Sequence, residues 1–153
     1  MILKDIIDED FSNYKSPSML LAFPYCNFKC GKENCHNAEL DKAQNIETDA
    51  ADVVERYLDN DITSAVVCAG LEPFYCFMLL YEFIEKLRQH TEDMVIIYTG
   101  YKEKEIGYYL KLISRYKNII VKFGRFIPHQ EPRYDEVLGV QLASSNQYAK
   151  QIS

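Results

Sequence analysis

The chain has 153 residues, 48% of them apolar, and 17 basic against 23 acidic groups give a formal charge of −6. That length suits one domain, residues 1–153, able to bury about 68–70% of its unfolded surface, and the apolar content excludes a disordered chain. No apolar run approaches the roughly 20 residues of a membrane span, and the acidic start MILKDIIDEDF lacks the apolar stretch of a secretory leader. With five cysteines, an odd number that argues against a disulfide framework, the expectation is a cytoplasmic protein that engages no membrane.

In chain order, residues 18–24 (SMLLAFP) read as a first buried strand, followed at once by a cysteine-rich segment. Thr48 is the expected N-cap of a helix over about 49–59, with Val54 and Leu58 on one face. Residues 64–69 (SAVVCA) read as a second buried strand ended by Gly70, and Pro73 sits where a first helical turn tolerates it. Phe77, Leu80, Tyr81, Ile84 and Leu87 carry helical spacing to about residue 89. A third strand is expected at 94–98, closed by Thr99-Gly100, and a third helix at 102–116 with Gly107 as its weak point. A fourth strand over 118–123 stops at Gly124.

Continuous apolar strands alternating with amphipathic helices predict parallel βαβ units. A closed eight-unit barrel needs about 250 residues. The expected fold is therefore a partial (β/α) barrel: an open, curved, mostly parallel sheet with helices on its outer face. Ligands of such sheets bind at the carboxyl ends of the strands. Four segments leave those ends, at residues 25–37, 70–74, 99–101 and 124–126, and they should converge on one rim.

The first of these reads Cys26-Asn-Phe-Lys-Cys30-Gly-Lys-Glu-Asn-Cys35-His36-Asn37. Three thiolates on one loop suit a soft metal, either zinc or an iron–sulfur cluster. Adding His36 gives the Cys₃His set of a closed zinc site, and with it a non-catalytic zinc-stabilised adaptor. A cluster held by three cysteines instead leaves one iron open to chelate a small molecule. Cys68, in a strand, and Cys76, in a helix, read as small core residues.

Three clustered cysteines after the first strand and Gly70-Leu71-Glu72-Pro73 after the second resemble a radical S-adenosylmethionine (SAM) enzyme. Cys35-His36-Asn37, Tyr98-Thr99-Gly100-Tyr101, Gly124-Arg125-Phe126 and Ser144-Ser145-Asn146-Gln147 follow in the same order as similar motifs in anaerobic ribonucleoside-triphosphate reductase activating proteins. This resemblance spans about residues 18–148. It implies that Cys26, Cys30 and Cys35 hold a 4Fe–4S cluster whose unique iron binds the amino and carboxylate groups of SAM. It further implies reductive cleavage of SAM to methionine and a 5′-deoxyadenosyl radical, which takes a hydrogen from a glycine of a partner glycyl-radical enzyme. An electron donor resembling flavodoxin or ferredoxin completes the system.

Under the same resemblance, Gly70, Leu71, Glu72 and Pro73 bring backbone polar groups to the methionine amine. Glu72 either bonds that amine or caps the helix that follows. Thr99 either meets the cofactor or caps the next helix, and Tyr98 and Tyr101 either wall the adenine or pack the core. The chain departs from the usual pattern in four places, which marks a divergent branch. Four residues rather than two separate Cys30 from Cys35; Asn34 stands where an aromatic is common, able to hydrogen-bond but not stack; Leu71 replaces a glycine; and Val121-Lys122-Phe123 precedes Gly124 where an acidic residue is frequent. Lys122 reaches the SAM carboxylate if its strand alternates inward, or snorkels to water from an edge.

Charge is unevenly placed. Residues 1–100 carry 8 basic and 18 acidic groups, net −10, and residues 101–153 carry 9 and 5, net +4. The basic portion lacks the aromatic platform of a nucleic-acid reader. The rim at 124–148, with Arg125, Arg133 and Ser144–Gln147, is where the partner's glycine-bearing segment is expected to dock. His90 and His129 read as surface positions.

Overall fold

A computed structural model describes residues 1–153. The chain opens with β1 (Ile2–Leu3), β2 (Asp5–Asp10) and β3 (Ser18–Phe23), then β4 (Ile46–Glu47) and α1 (Ala50–Leu58). It continues through β5 (Ala65–Gly70), α2 (Phe77–Leu87), β6 (Met94–Tyr98), α3 (Gly107–Ile113) and β7 (Ile119–Phe123), and ends in β8 (Arg133–Asp135), β9 (Val140–Leu142) and β10 (Tyr148–Gln151). Six strands form the main sheet in the order β2-β3-β5-β6-β7-β10. The four expected strands are its parallel centre. Strands β2 and β10 close its two edges in antiparallel pairing, so the fold is the expected open, mostly parallel α/β sheet.

Alternation along each strand sorts the side chains into two layers. Met19, Leu21, Val66, Val95, Ile97 and Val121 point to one face, where all three helices bury their apolar stripes. Val53, Val54 and Tyr57 of α1, Leu80, Phe83 and Ile84 of α2, and Ile113 of α3 complete a core of 23 buried residues there. Ala65, Val67, Ile96 and Ile120 point to the other face, against Tyr14, Leu138 and Leu142 of the loops and the β8–β9 hairpin. Helices thus cover one face only. Cys68 and Cys76 both lie in the helical-side core, as their sequence context suggested.

Several local expectations change. The N-cap of α1 is Asp49, whose carboxylate accepts from the Ala51 N–H, rather than Thr48. Leu58 is 42% exposed, and the buried stripe runs through Ala50, Val53, Val54 and Tyr57 instead. Pro73 begins a 3₁₀ turn, Pro73–Cys76, that leads into α2. The third helix is broken: a 3₁₀ turn at Glu103–Glu105 precedes α3, which starts at Gly107. Ile106 leaves the helical region with φ −123° and ψ 18° as its side chain enters the core. The edge strands carried no strong signal. Strand β2 is acidic and largely exposed, a composition that blunts an edge, while β8, β9 and β10 are three or four residues long.

Candidate iron–sulfur site

The segments that leave β3, β5, β6 and β7 meet around one cavity of about 470 Å³ at the carboxyl ends of the parallel strands. Its floor continues the face opposite the helices: Leu20, Ala22, Ala69, Tyr98 and Lys122 are the next residues along that side of the strands. Its mouth carries Cys26, Cys30 and Cys35, all free thiols of intermediate exposure.

Local backbone shape explains how the loop presents these thiols. Phe28 takes φ +50° and Gly31 φ +84°, and the Gly31 N–H bonds the Phe28 carbonyl, which turns the chain between Cys26 and Cys30. The longer spacing to Cys35 folds as a 3₁₀ turn, Lys32–Asn34, closed by the Cys35 N–H on the Lys32 carbonyl. Asn34 ends that turn outside the cavity wall, with its amide directed to Glu33. The aromatic contact at this end comes instead from His36 and Phe126, which both line the cavity with ring centroids 4.0 Å apart.

Two side-chain amides fasten the loop to neighbouring strand ends. Asn27 donates to the Tyr101 hydroxyl at 2.9 Å, and Asn37 donates to the Gly70 carbonyl at 2.9 Å. Gly70 itself has φ +94°, and a Cβ there would lie 2.6 Å from the Phe23 backbone nitrogen, so only glycine allows β3 and β5 to approach so closely. On the opposite wall Arg125 makes a bidentate pair with Glu105, at 3.0 and 2.9 Å, with its guanidinium 5.3 Å from the Tyr101 ring centroid. Hydrogen bonds from Arg125 pull the Glu105 carboxyl down to about 2.

The carboxylate of Glu72 is buried and fully engaged. Its Oε1 accepts from the Thr99 hydroxyl at 2.7 Å and the Phe74 N–H at 3.2 Å, and Oε2 accepts from the Gly100 N–H at 2.8 Å. Glu72 therefore caps the turn after it and also ties the end of β5 to the end of β6. Thr99 serves this tie, and accepts from the Tyr101 N–H, rather than capping the next turn, whose N-cap is Lys102. Burial raises the Glu72 carboxyl above its ordinary range, against the pull of its three donors.

Lys122 does not snorkel. It is 7% exposed, lines the cavity, and donates to the Gly124 carbonyl at 3.1 Å, with Nζ 5.7 Å from the Tyr98 ring centroid. Burial pulls its ammonium down to about 8, partly offset by Glu72. Gly70, Leu71, Glu72, Thr99 and Lys122 all line the cavity, whereas Pro73 lies behind it in the buried turn. Arg133 is on exposed β8 and does not line the cavity; Ser144 is buried behind the wall, whereas Gln147, also buried, lines the cavity.

The chemistry of the donor set narrows what the mouth can hold. No three His, Cys, Asp or Glu side chains converge as a site for a single metal ion, and the His36 ring packs against Phe126 at a 45° tilt. The three thiols nevertheless share one partly buried pocket with no disulfide among them. Burial, with Glu72 and the other two thiols adding to it, pushes Cys26 up to about 11, and burial then Cys35 raise Cys30. Iron would have to displace those protons, so loading should favour higher pH. Three soft donors spread around a pocket fit a cluster better than they fit one tetrahedral ion.

An α/β sheet with a three-thiol loop at its carboxyl edge defines the class as an iron–sulfur domain. A family model described as a 4Fe-4S single cluster domain matches residues 18–148, and the chain belongs to that family. Domains of this family occur in radical SAM-type proteins. Neither a comparison with curated proteins nor one with solved structures returns a match. Sequence reasoning assigned no role to Asn27, Asn37, Glu105 or Phe126. Asn37 stood within the Cys-His-Asn string and Phe126 within Gly-Arg-Phe, which were the available signals.

Proposed function

We propose that the chain is a radical SAM activase that generates a glycyl radical on a partner enzyme, in the manner of the anaerobic ribonucleoside-triphosphate reductase activating proteins it resembles. The observation that carries this is the meeting, in one cavity, of the three-cysteine loop and the Gly70–Glu72 strand end. Cys26, Cys30 and Cys35 would hold the cluster, which supplies the electron that cleaves SAM and so the radical that takes a hydrogen from glycine.

This chain's own residues do the positioning. Gly70, with its carbonyl held by Asn37, joins the loop to β5. Glu72 braces β5 against β6 through Thr99 and Gly100. Lys122 places a cation on the floor, where a carboxylate of SAM would find it. His36 and Phe126 offer aromatic surface beside the loop for a planar base. A cavity open at the strand ends suits a substrate that is itself a protein backbone, with an electron donor of the flavodoxin or ferredoxin class.

Anaerobic reconstitution with iron and sulfide should give about four irons per chain, and dithionite with SAM should release 5′-deoxyadenosine. Cys30→Ala should abolish both. Retention of either by that variant, or stoichiometric zinc in a colourless protein that does not bind SAM, would overturn the reading.

A further inference from the structure

The Ser144-Ser145-Asn146-Gln147 motif makes no hydrogen bond to the cysteine loop, and its side chains are spent almost entirely on the loop that follows β7. The Gln147 Nε2 donates to the Gly124 carbonyl at 3.1 Å, and Gln147 Oε1 accepts from the Ser144 N–H at 3.2 Å. The second bond fixes which way the amide faces. The Asn146 Nδ2 donates to the Arg125 carbonyl at 2.8 Å, and the Ser144 hydroxyl accepts from the Ile127 N–H while donating to Asn146 Oδ1 at 2.7 Å. Three consecutive peptide groups of the loop after β7, carrying the Gly124 and Arg125 carbonyls and the Ile127 N–H, are thereby held from one side. Gly124 adopts φ +99° against Asn146, whose Nδ2 would lie 3.2 Å from a Cβ there.

The Gly124 carbonyl is also the one acceptor that Lys122 Nζ has, at 3.1 Å. An ammonium carries three donors. One is committed to this carbonyl, and two are left for the cavity that Lys122 lines. Without that carbonyl the ammonium could turn among several orientations, an ordering cost that would fall on ligand binding. Gln147 and Lys122 converge on the same oxygen, so the amide fixes the carbonyl and the carbonyl fixes the cation.

We infer that Gln147 is a positioning residue: through the Gly124 carbonyl it holds the Lys122 ammonium as a preset cation for a ligand carboxylate on the cavity floor. The ligand class is an amino-acid-bearing nucleoside, so the inference rests on the SAM reading above and deepens it.

The test uses two nucleosides against the reconstituted protein: S-adenosylhomocysteine, which has the amino-acid carboxylate, and 5′-methylthioadenosine, which lacks it. Gln147→Met removes the amide with a side chain of similar length, and Gln147→Leu removes it with a shorter apolar one. Both variants should bind S-adenosylhomocysteine about tenfold more weakly and methylthioadenosine as the wild type does. Lys122→Met should show the same selective loss, with no further loss when combined with Gln147→Met. Equal weakening toward both nucleosides, or additive losses, would overturn the inference. Carbon-13 relaxation at Lys122 Cε in the full chain supplies a readout independent of ligand: the wild type should be rigid and Gln147→Met mobile. Unchanged mobility would overturn the bracket. Failure of the wild type to bind either nucleoside would overturn the proposed function and the carboxylate assignment, while mobility still decides the bracket.

Discussion

The two faces of the central sheet are built from the same strands, one residue apart, and they do different work. Beneath the helices the four parallel strands present only apolar side chains, and α2 alone contributes Phe77, Leu80, Phe83, Ile84 and Leu87 to a continuous core. On the other face the apolar cluster has only eight residues and stops partway along the strands. Beyond Ile96 and Ile120 the same side of the sheet carries Tyr98 and Lys122 and opens into the cavity. Period-two alternation lets one set of strands hold the fold together on one side and present polar chemistry on the other. A substitution on the helical face should therefore cost stability first, and one around the cavity should cost loading or binding first.

The largest expected effect tests the helical face. Phe83 is fully buried in the 23-residue core, and Phe83→Ala should lower unfolding free energy by about 3–5 kcal/mol in urea titrations. A loss below about 1 kcal/mol would show that this face is not the stabilising one. Gly70 stands at the junction of both roles. Gly70→Ala puts a methyl 2.6 Å from the Phe23 nitrogen at φ +94°, and should cost about 2 kcal/mol or more together with the cluster-bound iron. Normal iron content in a folded Gly70→Ala variant would separate the loop from the strand end and weaken the comparison.

Smaller effects belong to the cavity wall. The Glu105 carboxyl sits near 2, below its ordinary 4.5, because Arg125 holds it. A depressed acid contributes stability above its unfolded pKa and loses it as pH falls through its folded pKa. Glu105→Gln should therefore lower stability by under about 1 kcal/mol at pH 7. That difference should shrink between pH 4.5 and about 2, as thermal unfolding at several pH values would show. A difference that stays constant with pH would remove the ion pair as its cause. Asn37→Ala is the mildest fold change and the sharpest test of the cavity. Its bond to the Gly70 carbonyl is exposed, so stability should change by about 0.5 kcal/mol or less. Iron retention during dilution should nonetheless fall, and unchanged retention would assign the bond no part in holding the loop.

Much of the architecture was legible because apolar runs and helical periodicity report burial directly. Residues 64–69 and 94–98 read as inner strands and are so, and the turn residues Gly70, Thr99-Gly100 and Gly124 marked strand ends. The edges were not legible. Strand β2 is acidic because an exposed edge must repel other strands, and β10 is only four residues long, its register set by antiparallel pairing with β7. The break before α3 was also hidden, since Ile106 fits a helical pattern equally well when it turns out of the helix into the core.

The division at the site follows the same logic. Sequence alone determined that three cysteines share a strand-end loop, because covalent proximity and the βαβ pattern suffice for that. It also determined that Gly-Leu-Glu-Pro follows the next strand. Only tertiary structure decided what the ambiguous side chains do. Glu72 became a brace because Thr99 and Gly100 arrive from another strand. Lys122 became a buried cation because the Gly124 carbonyl, fixed by Gln147 from 23 positions further along, lies within reach of its Nζ. Such roles depend on partners distant in sequence, and a residue's own neighbours in the chain carry no record of them.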